Sequence, residues 1–154
     1  MGHSNVVIKH YQPEQLPGIL RLYDCTLTES VHFLRDQDFL KYMIQDPDIN
    51  KNSIFVAIIN KEITGFVILA ISNGYTKIGI INEFQAKDSL SMIDLVQTVE
   101  KYCIDNDVYR LIIAPSSSLP KCSIFKEWTR IQTGTGIMIA KVVSFVSLFR
   151  SVFY

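Results

Sequence analysis

Two long apolar segments separated by a short polar turn restrict the fold of this chain more than any other feature. Residues Ser53–Ile59 (SIFVAII) and Ile63–Ile71 (ITGFVILAI) flank the polar tripeptide NKE. Runs this rich in β-branched residues, joined by so short a polar connection, predict an antiparallel β-hairpin. A further strand, Lys77–Phe84, follows a turn at Asn73-Gly74. The middle of the chain therefore predicts three antiparallel strands in succession.

The segments before this hairpin predict one strand and two helices. A β-branched run gives a first strand at Val6–Tyr11, and apolar residues at helical spacing predict a helix from Glu14 to Leu27. A second helix is predicted from Asp36, as its N-cap, to Gln45, before a proline that ends it.

An amphipathic helix and a buried strand follow the three central strands. Residues Ser89–Asp105 have apolar side chains at helical spacing, and Val108–Ala114 (VYRLIIA) is an apolar run. A strand–helix–strand unit of this length predicts a parallel, right-handed crossover. We therefore expect a mixed sheet with the helix packed on it. The residues predicted to be central are Ile78, Ile80, Val108, Leu111, Ile112 and Ile113.

The C-terminal part predicts a short helix at Lys121–Arg130 and a last strand at Ile137–Val143. The tail Ser144–Tyr154 has five apolar residues at helical spacing and a single charge. Such a helix needs an apolar surface to cover. The expected organisation is one domain over residues 1–143 and a contact helix over residues 144–154, which packs on the domain or makes a homodimer.

Composition excludes several classes of partner and location. The 154 residues include 15 basic and 15 acidic side chains, so a surface that follows nucleic-acid phosphates is not expected. No run of 18 apolar residues occurs, so no membrane span is expected. Three scattered cysteines predict neither disulfides nor a metal site, and with no secretory leader the expected location is the cytoplasm.

The order of these elements resembles that of the GNAT N-acetyltransferase superfamily over Val6–Val143. The start VVIKHYQPEQLPGILRLY is similar to that superfamily's first strand and helix, and SIFVAIINKEITGFVILA to its second and third strands. The resemblance implies an α+β fold of three layers, α/β/α, around a mixed and mostly antiparallel sheet. It also implies transfer of an acetyl group from acetyl-CoA to an amine of a small molecule or peptide, with no metal.

The resemblance implies a cofactor site on the fourth strand and the loop after it. In the superfamily a bulge in this strand binds the pantetheine arm, and a glycine-containing loop at the next helix binds the pyrophosphate. Here the glycine positions hold Asp88 and Leu90. Asp88 places a carboxylate where an anion should bind, and it is also an ordinary helix cap. The implied cofactor-binding residues are Ile81, Asn82, Gln85, Ala86, Lys87, Asp88, Ser89 and Leu90.

Catalytic residues are only partly matched. The superfamily's tyrosine in the last helix aligns with Phe125 or Ile124, neither of which can donate a proton. Glu83 stands where some members hold a base, and it could deprotonate an amine through water.

The sequence is compatible with two functions. One is an acetyl-CoA-dependent N-acyltransferase with an undetermined acceptor, and the other is an inert GNAT-fold binding module or one half of a larger assembly. The segment Gly136–Val143 followed by an amphipathic tail also resembles the junction of GNAT proteins that continue into a sterol-carrier-like domain.

Overall fold

The predicted hairpin is the centre of the fold in the computed structural model, which describes residues 5–26, 37–45, 49, 53–72, 76–113, 129–133 and 136–142. Asn60 and Lys61 have positive φ values of 50° and 68°, and Ile59 pairs with Glu62 across them. This backbone twist matches that of the flanking strands, which is why such two-residue turns close hairpins. The turn is therefore one residue shorter than the tripeptide suggests.

The described elements follow the predicted order, with one additional strand. Residues Pro13–Gln15 form a 3₁₀ turn before the first helix. The helices are α1 (Leu16–Thr26), α2 (Gln37–Gln45) and α3 (Ser89–Asp105). The strands are β1 (Val7–His10), β2 (Ile54–Ile59), β3 (Glu62–Ile71), β4 (Ile78–Ala86), β5 (Arg110–Ile113), β6 (Thr129–Thr133) and β7 (Gly136–Val142).

These strands form one mixed sheet in the order β1-β2-β3-β4-β5-β7-β6. Among the described strands only β4 and β5 pair in parallel, and α3 connects them. This confirms the predicted parallel strand–helix–strand connection and the mostly antiparallel α+β fold. The sheet needs this connection because a parallel pair cannot be joined by a tight turn.

The helices cover both faces of the sheet and give the predicted three layers. On one face α1 and α2 pack on β2 and β3, and Ile19, Leu40 and Phe66 are buried among them. On the opposite face, α3 packs on the sheet through Leu95 and Val99. These two residues form one buried cluster, the α3-side core, with apolar residues of β2 to β5. The central hairpin is therefore apolar on successive residues because each of its faces contacts a helix layer.

The last predicted helix is wrong at its C-terminal end. Thr129 and Arg130 belong to β6, which pairs antiparallel with β7 as far as Thr133 opposite Gly136. The alternating β-branched residues of TRIQT and the glycine-containing connection favour a hairpin here. The rest of Lys121–Arg130, the N-cap Asp36 and the tail Ser144–Tyr154 lie outside the described residues.

Six residues were predicted to be central, and the structure divides them between the two faces of the sheet. Val108, Leu111 and Ile113 are buried beneath α3. Ile78 and Ile112 are only half-buried, and Ile80 is 37% exposed. Five of the six lie in β4 and β5, in the middle of the sheet, with Val108 just before β5, so the predicted central position is confirmed, while strand alternation turns every second side chain away from α3.

Truncation of Val99 tests the packing of α3 on the sheet. Its side chain is fully buried in the α3-side core. We expect Val99→Ala to lower the free energy of unfolding by about 1–3 kcal/mol, because it removes buried methyl groups and leaves a cavity. Denaturant titration measures this change, and the exposed Lys101→Ala on the same helix is the control. A change within experimental error for Val99→Ala would contradict this packing.

Cys103 is a buried thiol. It is fully buried and free, and burial raises its pKa to about 12, with a further contribution from the charge of Glu100. Such a thiol is protonated throughout the physiological range and is a poor nucleophile.

Among the described helices, none combines the length and apolar character that crossing a bilayer requires.

Candidate functional site

A bulge interrupts β4 at Asn82. Ile81 pairs with Leu69 and Glu83 pairs with Ile68, so Asn82 is an extra residue opposite consecutive residues of β3. A bulge of this kind leaves its backbone groups unpaired and bends the strand. The resemblance placed a bulge in this strand, and the structure has one at a residue of the predicted site.

The described pairing of β4 with β5 ends directly beside this bulge, at the last described residue of β5. Their parallel pairing begins at Ile78 with Arg110 and ends at Ile81 with Ile113. From Asn82 to Ala86, no described residue pairs with β4 on the β5 side. The extra residue of the bulge, Asn82, has backbone N–H and C=O groups outside the β3 ladder, and an extended ligand that carries amides can pair with such groups. The region of β4 at the bulge, beyond its described pairing with β5, is called the opening below, and it can bind a ligand as if the ligand were a further strand.

Glu83 lies at this opening, on the face of the sheet opposite α3. Its partner Ile68 belongs to the core beneath α1 and α2, and Glu83 itself is only 6% exposed. Ile80 and Ile112 are neighbours across β4 and β5 on the same face. The face therefore has a buried carboxylate next to partly exposed apolar side chains.

The loop between β4 and α3 is shorter than predicted. Gln85 and Ala86 are not loop residues, because they pair with Phe66 and Gly65 as the last residues of β4. A Cβ on Gly65 would lie 2.8 Å from Leu95 Cδ1 and 3.0 Å from the carbonyl oxygen of Gln85. The absence of a side chain at Gly65 thus lets α3 approach the sheet closely. Because β4 extends to Ala86 and α3 begins at Ser89, only Lys87 and Asp88 form the connection.

Asp88 closes the N-terminus of α3 with its own carboxylate. The N–H of Ser91 donates to Asp88 Oδ1 at 2.8 Å, and the Ser91 hydroxyl donates to Asp88 Oδ2 at 2.9 Å. Thr64 Oγ1 lies 2.7 Å from Ser91 Oγ and is the donor, because the single Ser91 proton is already donated to Asp88. Thr64 and Ser91 are buried. The carboxylate therefore takes a hydrogen-bonding position that a bound anion would use.

Part of the helix N-terminus still faces solvent. Leu90 is 57% exposed, and Ser89 is exposed beside it. Within the described part of the chain, no acceptor bonds the N–H groups of Ser89 and Leu90. These donors remain available, although the Leu90 side chain stands at a position where glycine or alanine would leave the backbone open.

Lys87 is held by the first residues of β3. Its ammonium lies 3.1 Å from Glu62 Oε1, and its N–H donates to the carbonyl oxygen of Thr64 at 2.7 Å. Both partners of the ion pair are well exposed, so the pair contributes little to stability. Lys87 can therefore exchange this partner for a ligand at low cost.

The predicted site residues are thus only partly brought together. Ile81 is buried in the α3-side core, so only its backbone can reach a ligand in the opening. Thr64 and Ser91 were missed by sequence reasoning, because Thr64 reaches Ser91 from another strand and no local spacing signals that contact. Ile124 and Phe125 lie outside the described residues. No three His, Cys, Asp or Glu side chains of the described chain converge as metal ligands.

Comparison with known proteins shows the fold. No family model and no curated protein matches the sequence. An acetyltransferase of the GNAT family from Staphylococcus aureus Mu50 is 13% identical, with a TM-score of 0.72, and the match covers 91% of this chain and 100% of that one. The ribosomal-protein-S18-alanine N-acetyltransferase from Escherichia coli is 12% identical over 91% of this chain and 95% of that one, with a TM-score of 0.68.

A structure solved with coenzyme A is also similar. The PaiA N-acetyltransferase from Thermoplasma acidophilum in complex with coenzyme A is 12% identical, with a TM-score of 0.65, over 90% of this chain and 99% of that one. At such identities the likeness shows the fold and not the reaction. The chain therefore has the GNAT fold predicted from its element order.

Proposed function

We propose that this protein is an N-acyltransferase that transfers an acetyl group from acetyl-CoA to an amine of a small molecule or peptide. The bulge at Asn82 in β4 is the observation that carries this proposal. The pantetheine arm of acetyl-CoA is an extended chain with two amides, so it can pair with the backbone at the bulge as a strand does. The GNAT fold of the chain supports the same assignment.

The residues of the opening suggest how the chain assists the transfer. The backbone N–H of Asn82, the extra residue of the bulge, can polarise the thioester carbonyl as negative charge develops on its oxygen. Glu83 can accept the proton that the amine loses, through a water molecule, when the amine nitrogen attacks the carbonyl carbon. The carbon–sulfur bond then breaks, and the thiolate takes up a proton from solvent. The chain binds and orients the two reactants so that the attack is effectively intramolecular.

The N-terminus of α3 differs from one whose backbone N–H groups are all free to bind a phosphate. The Asp88 carboxylate is bonded to Ser91 and repels a pyrophosphate brought close to it. Lys87 and the N–H groups of Ser89 and Leu90 remain as attractive groups. We expect the pantetheine arm, rather than the pyrophosphate, to supply most of the affinity.

A direct test compares two acetyl donors by calorimetric titration. S-acetylpantetheine lacks the pyrophosphate and the nucleotide, so the proposal predicts dissociation constants within about threefold of each other for it and acetyl-CoA. If acetyl-CoA binds more than about tenfold more tightly than S-acetylpantetheine, the N-terminus of α3 binds the pyrophosphate and this expectation is wrong. Acetyl transfer is then measured with a panel of amines and peptides that have free N-termini.

The closed α3 start favours a second candidate function. Since Asp88 already satisfies the amide of Ser91, the alternative is a GNAT-fold module without catalysis that binds another ligand or forms half of an assembly. Absence of binding by both acetyl donors and by coenzyme A would favour this function over acetyl transfer. Binding without transfer to any amine would also support it.

We further propose that the protein is cytoplasmic and forms a homodimer through the tail Ser144–Tyr154. The free, buried thiol of Cys103 is compatible with a reducing compartment. The tail carries a stripe of apolar residues with Arg150 as its only charged residue.

Deletion of residues 144–154 tests the dimer. We expect the shortened protein to sediment as a monomer, or to lose solubility, because the surface covered by the tail becomes exposed. Sedimentation velocity at several concentrations makes the measurement, and Arg150→Ala in the full chain is the control. Unchanged sedimentation and solubility after the deletion would contradict the proposed contact.

A further inference from the structure

A groove of about 490 Å³ lies between the start of α1 and the β2–β3 turn. Its volume is within the range of about 300–1,000 Å³ that is typical of small-molecule sites. Neither Asn82 nor Glu83 lines it, so it is separate from the opening between β4 and β5. We call it the α1–turn groove.

The floor of the α1–turn groove is apolar. Leu22 of α1 is buried there, and Ile58 and Ile63 contribute half-buried side chains from β2 and β3. At Gly18 a Cβ would lie only 2.6 Å from Ile63 Cδ1, so α1 lies directly against β3 at this point. A bound apolar group would therefore be shielded from water on the floor.

The rim of the groove carries charges of both signs. Arg21 and Lys61 are exposed, and neither is ion-paired with a described residue. Glu14 is an exposed carboxylate on the same rim, also without an ion pair to any described residue. The remaining charges of the lining, Lys87 and Glu62, neutralise each other at 3.1 Å. Two cations and one carboxylate are thus available to a ligand.

We propose that the α1–turn groove binds a free α-amino acid with an apolar side chain. Arg21 would pair with the ligand carboxylate through its planar guanidinium, and Lys61 would add a second positive charge. Glu14 would accept hydrogen bonds from the ligand ammonium. The apolar side chain would cover Leu22, Ile58 and Ile63.

Other ligand classes match the groove less well. A polyanion such as a nucleotide would be repelled by the carboxylate of Glu14, which lines the same groove, and would leave this carboxylate without a hydrogen-bond donor. A purely apolar ligand would displace water from the charged side chains of the rim and would not replace the hydrogen bonds that those side chains make with water. A ligand that carries a carboxylate, an ammonium and an apolar group satisfies the rim and the floor together.

The inference is independent of the proposed acetyl transfer, because binding is measured without an acetyl donor. The full chain is titrated calorimetrically with L-valine, L-leucine, L-isoleucine, L-methionine and L-phenylalanine in turn. We expect at least one to bind with a dissociation constant below about 1 mM. Its methyl ester lacks the carboxylate and its N-acetyl derivative lacks the ammonium, and each should bind at least about tenfold more weakly.

Variants locate the binding. Arg21→Ala should lower the affinity for the amino acid at least about tenfold. Glu14→Gln should also lower the affinity for the amino acid but leave the affinity for its N-acetyl derivative unchanged. Lys101→Ala, an exposed change on α3, is the matched control and should have no effect. The proposal is overturned if none of the five amino acids binds. It is also overturned if Glu83→Gln abolishes binding and Arg21→Ala does not, since the ligand would then occupy the β4–β5 opening.

Discussion

Replacing Asp88 and Leu90 together by glycine should raise the affinity for coenzyme A at least about tenfold, which corresponds to about 1.4 kcal/mol. The change removes a carboxylate that bonds Ser91 N and Oγ, so these donors become free for a phosphate. It also removes the exposed Leu90 side chain from the start of α3. The field of the helix N-terminus would then act on a bound anion. Calorimetric titration of both proteins at matched ionic strength measures the difference.

The same variant should lose some stability, because glycine is a weaker cap than aspartate by a few tenths of a kcal/mol and is costly inside a helix. Asp105→Asn is the matched control, since it removes a negative charge from the last residue of α3. We expect that control to leave coenzyme A affinity unchanged. Equal affinity of the double variant and the natural chain would contradict the proposed obstruction by Asp88 and Leu90.

Replacing Glu83 by glutamine should lower the rate of acetyl transfer about a hundredfold, the typical contribution of a positioned general base. Glutamine keeps the size of the side chain but cannot accept the amine proton. The dissociation constant of acetyl-CoA should not change, because the donor is held by the backbone of β4 on the β5 side. Steady-state kinetics and calorimetry together measure this separation of catalysis from binding.

Two further variants distinguish catalysis from a structural role for Glu83. Glu83→Asp should recover part of the rate, since it keeps a carboxylate at the opening. Glu100→Gln changes a half-buried carboxylate that pairs with Lys141 at 2.9 Å, and it should leave the rate unchanged. A Glu83→Gln protein with weaker donor binding and an unchanged rate would show that Glu83 is not the base.

The fold was largely predictable, because its periodicities are local. Successive apolar residues in β2 and β3, helical spacing in Ser89–Asp105 and the crossover rule for β4 and β5 lead to the observed sheet. The one strand that was missed, β6, is short, and its first two residues fall within Lys121–Arg130, which the sequence predicted as a helix. There the pairing with β7 decides the conformation, and pairing is not a local property.

The candidate site was predictable only along the chain. Asp88 could be read as a cap, and the structure confirms the cap through Ser91 N. The sequence could not show that Thr64 joins this network, because β3 brings it there from a distant part of the chain. For the same reason Gln85 and Ala86 read as loop residues, although pairing with β3 extends β4 through them.

The sequence by itself therefore determined the order of the elements, the central hairpin, the amphipathic helix α3 and the cap that begins it. These features depend on propensity and spacing within a few residues of each other. Tertiary structure alone decided the bulge at Asn82, the burial of Glu83 and the α1–turn groove. Each of these depends on the register and packing of segments far apart in the chain, which is set by the balance of contacts in the whole fold.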